Sequence, residues 1–169
     1  LLSQNFQNWQ KESLLANRKS LTYTMRELQQ LWEDIFMNFI FISPNFPKTY
    51  WNFCRCLKQN GVRVLGIGDT PYELLEENLK QNLQEYYKVS SLENYEEVYK
   101  ACAFFAFRYG KIDWIESNNE YWLMQDAQLR TDFNVTSGVR NEAISFIKYK
   151  SQMKALYEKA GVRTARWHL

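Results

Sequence analysis

Histidine is almost missing from this sequence. His168 is the single one among 169 residues, and that excludes a multi-histidine metal centre. Cysteine is nearly as scarce. Cys54, Cys56 and Cys102 are odd in number and follow no disulfide-framework spacing. The first two form a C-x-C inside an expected helix, where they point to different faces. All three read as reduced packing residues of a cytoplasmic protein. No apolar run approaches the ~20 residues of a membrane span, and no signal peptide is visible. Excess charge of one sign is lacking too. Lys and Arg number 21 and Asp and Glu 19, a net charge of +2, too small to point to a nucleic-acid or membrane partner. There is no internal repeat, no low-complexity segment, no P-loop, no G-x-S-x-G and no Cys–His pair, so no complete catalytic constellation stands in the chain.

What is present is an ordinary globular composition, 46% apolar and 24% charged, with a high aromatic content of 17%. The length suits one domain with a sizeable core. Residues 1–36 read as a separate N-terminal extension. Leu1 to Ser20 are rich in Gln, Asn, Lys and Ser. From Thr24 onward Leu28, Leu31, Trp32 and Ile35 make one apolar stripe of an amphipathic helix. That helix either rests on the domain, lies outside it or binds a partner. Met37 is a candidate native start. Leu1 in place of a methionine, and a C-terminus inside what reads as a strand, make a piece of a longer chain the favoured expectation.

Beyond Met37, strands alternate with helices. Asn38 to Ser43 is an almost wholly apolar run suited to a central parallel strand. A helix follows over 49–61, ended by Asn60-Gly61, then a strand over 62–67. Further expectations are a helix from Tyr72 to about Leu83 and a strand over 86–89. A capping box at Ser90-Ser-Leu-Glu93 then opens a helix to Tyr109-Gly110, with Ser91 and Asn94 as alternative caps. A strand over 111–115, a helix over 121–133, a short helix over 141–147 and a last helix stopping at Ala160-Gly161 complete the series. Residues 162–169 read as extended. The fold class expected is α/β: a doubly wound, mainly parallel sheet of about four strands with helices on both faces, preceded by the helical N-terminal extension.

In an open parallel sheet, ligands bind beyond the carboxyl ends of the strands. Three loops occupy that edge and carry the candidate substrate contacts. Ser43, Asn45 and Lys48 belong to the first, Asp69 and Thr70 to the second, and Glu116, Asn118, Asn119 and Glu120 to the third. Each has a plainer reading. Gly66-x-Gly68 lacks the third glycine of a dinucleotide fingerprint and reads first as a tight turn, while prolines stand where that fingerprint should follow the first strand. Asp69 either pairs with a ligand hydroxyl or caps the helix opening at Pro71. Asn119 or Ser117 is a natural N-cap, with Glu120 favourable near the helix dipole.

Four runs carry a family resemblance: Phe39 to Lys48, Val64 to Pro71, Asp113 to Trp122, and Lys150-Ser-Gln-Met-Lys through Ala160-Gly-Val-Arg-Thr-Ala165. From Met37 to Leu169 the chain resembles the N-terminal, Rossmann-like domain that precedes the core of ATP-grasp carboxylate–amine ligases. The resemblance divides the chain into the extension 1–36, this domain over 37–147, and a helix and strand over 148–169 leading toward a core that is not in the sequence. It implies ATP and Mg²⁺ as cofactors and small carboxylate and amine (or thiol) substrates joined through an acyl phosphate. It implies that Lys150 reaches the nucleotide phosphates, a role suited to a compact ammonium. The family's glycine-rich lid and metal ligands lie in the core, so the 169 residues alone are expected to be inactive, with neither catalytic nor metal-binding residues of their own. No nucleic-acid or membrane partner is expected, and homodimerisation is left open. Two other classes stand beside this reading. One is a non-catalytic α/β binding or regulatory module, although the acidic cluster of a receiver is lacking at Ser43-Pro-Asn45. The other, weakened by the missing fingerprint, is a nucleotide-binding dehydrogenase.

Overall fold

The computed structural model describes residues 36–166 and 168. The expected amphipathic helix of the extension lies outside them. Strand β1, Asn38–Ile42, is buried at every position. It needs apolar side chains on both faces because β2 (Arg63–Gly68) pairs with one edge and β4 (Trp114–Glu116) with the other. Strand β3, Glu85–Lys88, closes the far side of β2. All pairings are parallel and the order is β3-β2-β1-β4.

The pleat sorts the side chains. Ile40, Ile42, Leu65 and Ile67 face one layer, where they meet Val98, Cys102 and Phe105 of α3 (Tyr95–Tyr109) and Leu129 of α4 (Leu123–Asp132). Phe39, Phe41 and Val64 face the other. There they pack on Cys54 of α1 (Trp51–Gln59), Leu79 of α2 (Glu77–Lys80), and Leu75 and Leu83. Helices therefore cover both faces, as the alternating pattern predicts. Two helices complete the described chain: α5 (Asn141–Lys148) and α6 (Lys150–Lys159). Gly110 ends α3 with φ at 84°, a conformation that glycine adopts without a Cβ penalty.

Several expectations need correction. The helix from Tyr72 to Leu83 is broken. A 3₁₀ turn, Tyr72–Leu74, precedes α2, and the buried Leu75 between them is extended with ψ at 146°. Extending that residue lets Leu75, Leu79 and Leu83 all reach the same apolar layer. Ser90 and Glu93 form no capping box. Helix α3 starts later, from Asn94, and it is Glu97 that takes the Ser90 amide at 2.6 Å and the Asn94 side-chain amide at 3.0 Å. The helix expected from Tyr121 opens as a 3₁₀ turn, Glu120–Trp122, before α4. Residues 162–166 form no strand. Of the cysteines, Cys54 and Cys102 are buried and Cys56 is exposed, so Cys56 does not pack in the core; all three are free.

Candidate functional site

Chain direction over the sheet decides where a crevice opens. The steps β1 to β2 and β2 to β3 move outward on one side, whereas β4 lies across β1 on the other. The loops after β1 and β4 therefore diverge, and the space between them is the topological switch point where ligands of open α/β sheets bind. A cavity of about 480 Å³ lies at this edge. Each strand contributes to it through its following loop: Ser43, Asn45 and Phe46 after β1, Asp69 after β2, Leu92 after β3, and Asn119, Tyr121 and Trp122 after β4. A smaller cavity of about 190 Å³ adjoins it, shares Asn45, and is lined also by Lys48, Thr70 and Glu76.

The backbone at the mouth adopts an uncommon conformation twice. Ser43 has φ at 56° and Asn118 φ at 57°. A left-handed serine is unusual and stays so only where its surroundings impose it. The Ser43 amide donates to the Ile67 carbonyl at 2.8 Å, tying the end of β1 to β2. The Asn118 carbonyl accepts the Tyr50 hydroxyl at 2.6 Å. Asn119 is the N-cap of the 3₁₀ turn, its side chain accepting the Tyr121 amide at 2.9 Å.

Of the predicted residues, Ser43, Asn45, Asp69 and Asn119 come together around the larger cavity. Asn45 also donates to the Thr70 hydroxyl at 2.8 Å, while its carbonyl oxygen is buried without a donor among the described residues. Lys48 and Thr70 line the neighbouring cavity, where Lys48 lies 3.7 Å from Glu76 in an exposed ion pair. Asp69 is exposed and does not cap the turn after Pro71, which has no side-chain cap bond. Glu116 is turned away from the opening into a network of its own. Asn118 and Glu120 are exposed and line neither cavity, and the Glu120 carbonyl accepts Lys148 at 2.6 Å. Lys150 is exposed at the first residue of α6 and lines neither cavity.

Sequence reasoning missed the groups beneath the third loop. Asp126 and Arg130 of α4 are buried, 0% and 2% exposed, as is Ser117 at 0%. One Asp126 oxygen accepts both the Ser117 hydroxyl at 2.6 Å and the Ser117 amide at 3.1 Å; the other is buried without a partner among the described residues. Burial pushes the Asp126 carboxyl up to about 7, against the Ser117 hydroxyl bond; Glu116 adds to the rise and Arg130 opposes it. Each nitrogen of the Arg130 guanidinium donates, to the Ile115 carbonyl, the Val139 carbonyl and Glu116, each at 2.8 Å. The other Glu116 oxygen accepts the Ser117 and Asn118 amides at 3.2 and 3.1 Å. The loop is thus held from below by a polar network. Its one advance sign is the i, i+4 spacing of Asp126 and Arg130 around the apolar Ala127 and Leu129.

Among the described residues no group of three or more His, Cys, Asp or Glu side chains could hold a metal ion, and no helix is long and apolar enough to cross a membrane. Burial pushes the Cys54 thiol up to about 12 and raises that of Cys102 as well, leaving both as unreactive packing groups.

No protein-family model matches the sequence, and no curated protein matches it. The fold is similar to that in the crystal structure of an L-amino acid ligase from Bacillus licheniformis, with a TM-score of 0.53 over 76% of this chain at 12% identity. The matched part is 31% of that ligase, so the chain spans under a third of its length.

Proposed function

We propose that this chain is the substrate-side N-terminal domain of an ATP-dependent carboxylate–amine (or carboxylate–thiol) ligase of the ATP-grasp type, acting through an acyl phosphate. The observation that carries the reading is the fold shared with the L-amino acid ligase over 76% of the chain. It is supported by a crevice at the switch point to which all four strand-following loops contribute. On this reading the domain orients a small substrate against a catalytic core contributed by further chain. ATP and Mg²⁺ are assigned to that core, where the resemblance places the glycine-rich lid and the metal ligands. When bound, they would convert a carboxylate to a mixed anhydride and offset charge on the transferred phosphoryl group. The part of the domain itself is positioning, which alone can supply several kcal/mol of a barrier. A cytoplasmic location belongs to the same proposal, with homodimerisation left open.

The test uses the protein expressed from its native gene. ATP, Mg²⁺ and single amino acids are supplied and ADP release is followed, with hydroxylamine present to trap acyl phosphate as a hydroxamate. Amino-acid-dependent ADP release and hydroxamate formation are expected from the longer protein and not from the 169 residues. A native gene encoding no further chain, or ADP release indifferent to every carboxylate and amine offered, would overturn the reading.

A further inference from the structure

The sign of charge in the crevice narrows its occupant. Asp69 is the single charged side chain lining the larger cavity. It forms no ion pair or hydrogen bond among the described residues. The cations nearby are already engaged elsewhere: Lys48 lines the adjoining cavity with Glu76, and Lys148 donates to the Glu120 carbonyl. A carboxylate end of a ligand would find no cation among the residues lining this cavity and would meet a like charge.

The same cavity is lined by three aromatic side chains, Phe46, Tyr121 and Trp122. Tyr121 and Trp122 stand edge to face with ring centroids 4.6 Å apart. Phe46 and Tyr121 are 64% and 63% exposed, so neither is covered by the rest of the domain. The Tyr121 hydroxyl is held by Glu93 at 2.8 Å, which fixes the ring. A carboxylate with aromatic faces around it attracts organic cations, through the ion pair and through the ring quadrupoles together.

We infer that the crevice takes its ligand by an organic ammonium group, seated on Asp69 with the carbon body against Phe46, Tyr121 and Trp122. The inference rests on the substrate-side reading and names the substrate class of that site: an amine kept protonated on an apolar body. An ion pair with a carboxylate favours the protonated nitrogen, and a protonated nitrogen has no lone pair to attack an acyl phosphate. The nitrogen held by Asp69 is therefore an anchor, distinct from the nucleophile of the ligation.

The experiment compares three ligands of one shape and different charge, phenethylamine, phenethyl alcohol and phenylacetate, by amide chemical shifts of the 169-residue chain. Phenethylamine is expected to bind best, to shift residues of the four loops, and to weaken as salt is raised. Asp69→Asn, on an exposed loop, is expected to weaken it about ten-fold and leave the alcohol unchanged; Tyr121→Ala weakens both. Equal binding of the three, preference for phenylacetate, no binding of any, or an Asp69→Asn variant that binds the amine as before would each overturn the inference. The outcome is separable from the ligase reading, which is scored by ADP release from the longer protein. Release without ammonium preference removes the inference alone, and preference without release leaves an ammonium site in a protein that is not a ligase.

Discussion

Asp126 sets the most distinct electrostatic condition in the described residues. Its carboxyl is held near 7, chiefly by burial, whereas an unfolded aspartate titrates near 3.9. The native state therefore retains a proton, between those values, that the unfolded chain has lost. By linkage this group's contribution to stability is fully present below about pH 4, falls as pH rises toward 7, and is flat above. The whole drop is on the order of a few kcal/mol. Asp126→Asn keeps an oxygen for Ser117 and cannot ionise. Urea unfolding of the two proteins from pH 5 to pH 8 should show the difference in favour of the variant growing with pH. A constant difference would mean that Asp126 does not titrate in this range. Arg130 makes the complementary case. Its three acceptors, the Ile115 and Val139 carbonyls and Glu116, surround a side chain only 2% exposed. Arg130→Met removes this donor from all three and should cost about 3–5 kcal/mol in denaturant unfolding. Arg130→Lys should recover little of it, because an ammonium cannot reproduce the planar fork.

Elements differ in how openly the sequence announces them. The run of β1 is legible because a strand covered on both faces has no polar alternation to confuse the reading. Strand β2 is legible from its apolar positions, although the Gly66-x-Gly68 spacing reads first as a tight turn and the expected strand stops at Ile67, one residue short of Gly68. Gly66 and Gly68 instead lie within the strand, where a Cβ at Gly66 would sit 2.9 Å from Leu83 and one at Gly68 would strike the Tyr86 hydroxyl. That tyrosine crosses β2 to donate to the Thr70 carbonyl at 2.8 Å, fixing the loop that carries Asp69. Such a use of glycine depends on a side chain 18 residues away in sequence, so no local pattern could signal it. The break of the helix at Leu75 is hidden for the same reason, since three leucines reach one layer only once the chain has bent. Gly68→Ala should therefore destabilise by about 1–3 kcal/mol. In a Tyr86→Phe background, where the struck oxygen is gone, the same substitution should cost about 1 kcal/mol less. Equal costs in both backgrounds would show that the backbone, not the tyrosine, resists the methyl group.

For the molecule as a whole, the three candidate loops were legible because parallel topology brings strand-following loops to one edge. Their division of labour was not. Ser43, Asn45, Asp69 and Asn119 line the crevice, whereas Glu116 serves the network beneath. Composition alone cannot distinguish a carboxylate facing a cavity from one facing a buried arginine. Lys150 belongs at this scale, because its proposed partner, a nucleotide phosphate, would come from outside the described residues. Here it is an exposed lysine at the N-terminal end of α6, with no acidic residue in that helix's first turn. A cation at that end opposes the helix dipole by a few tenths of a kcal/mol. The same end favours an arriving anion, which is the physical ground for proposing that Lys150 reaches a nucleotide phosphate. Lys150→Ala should accordingly leave thermal unfolding within about 0.5 kcal/mol of the parent. In the protein expressed from the native gene, it should raise the KM for ATP about ten-fold. An unchanged KM would assign Lys150 to solvent and leave phosphate binding to the remainder of the chain, and a large loss of stability would make it a structural residue of α6.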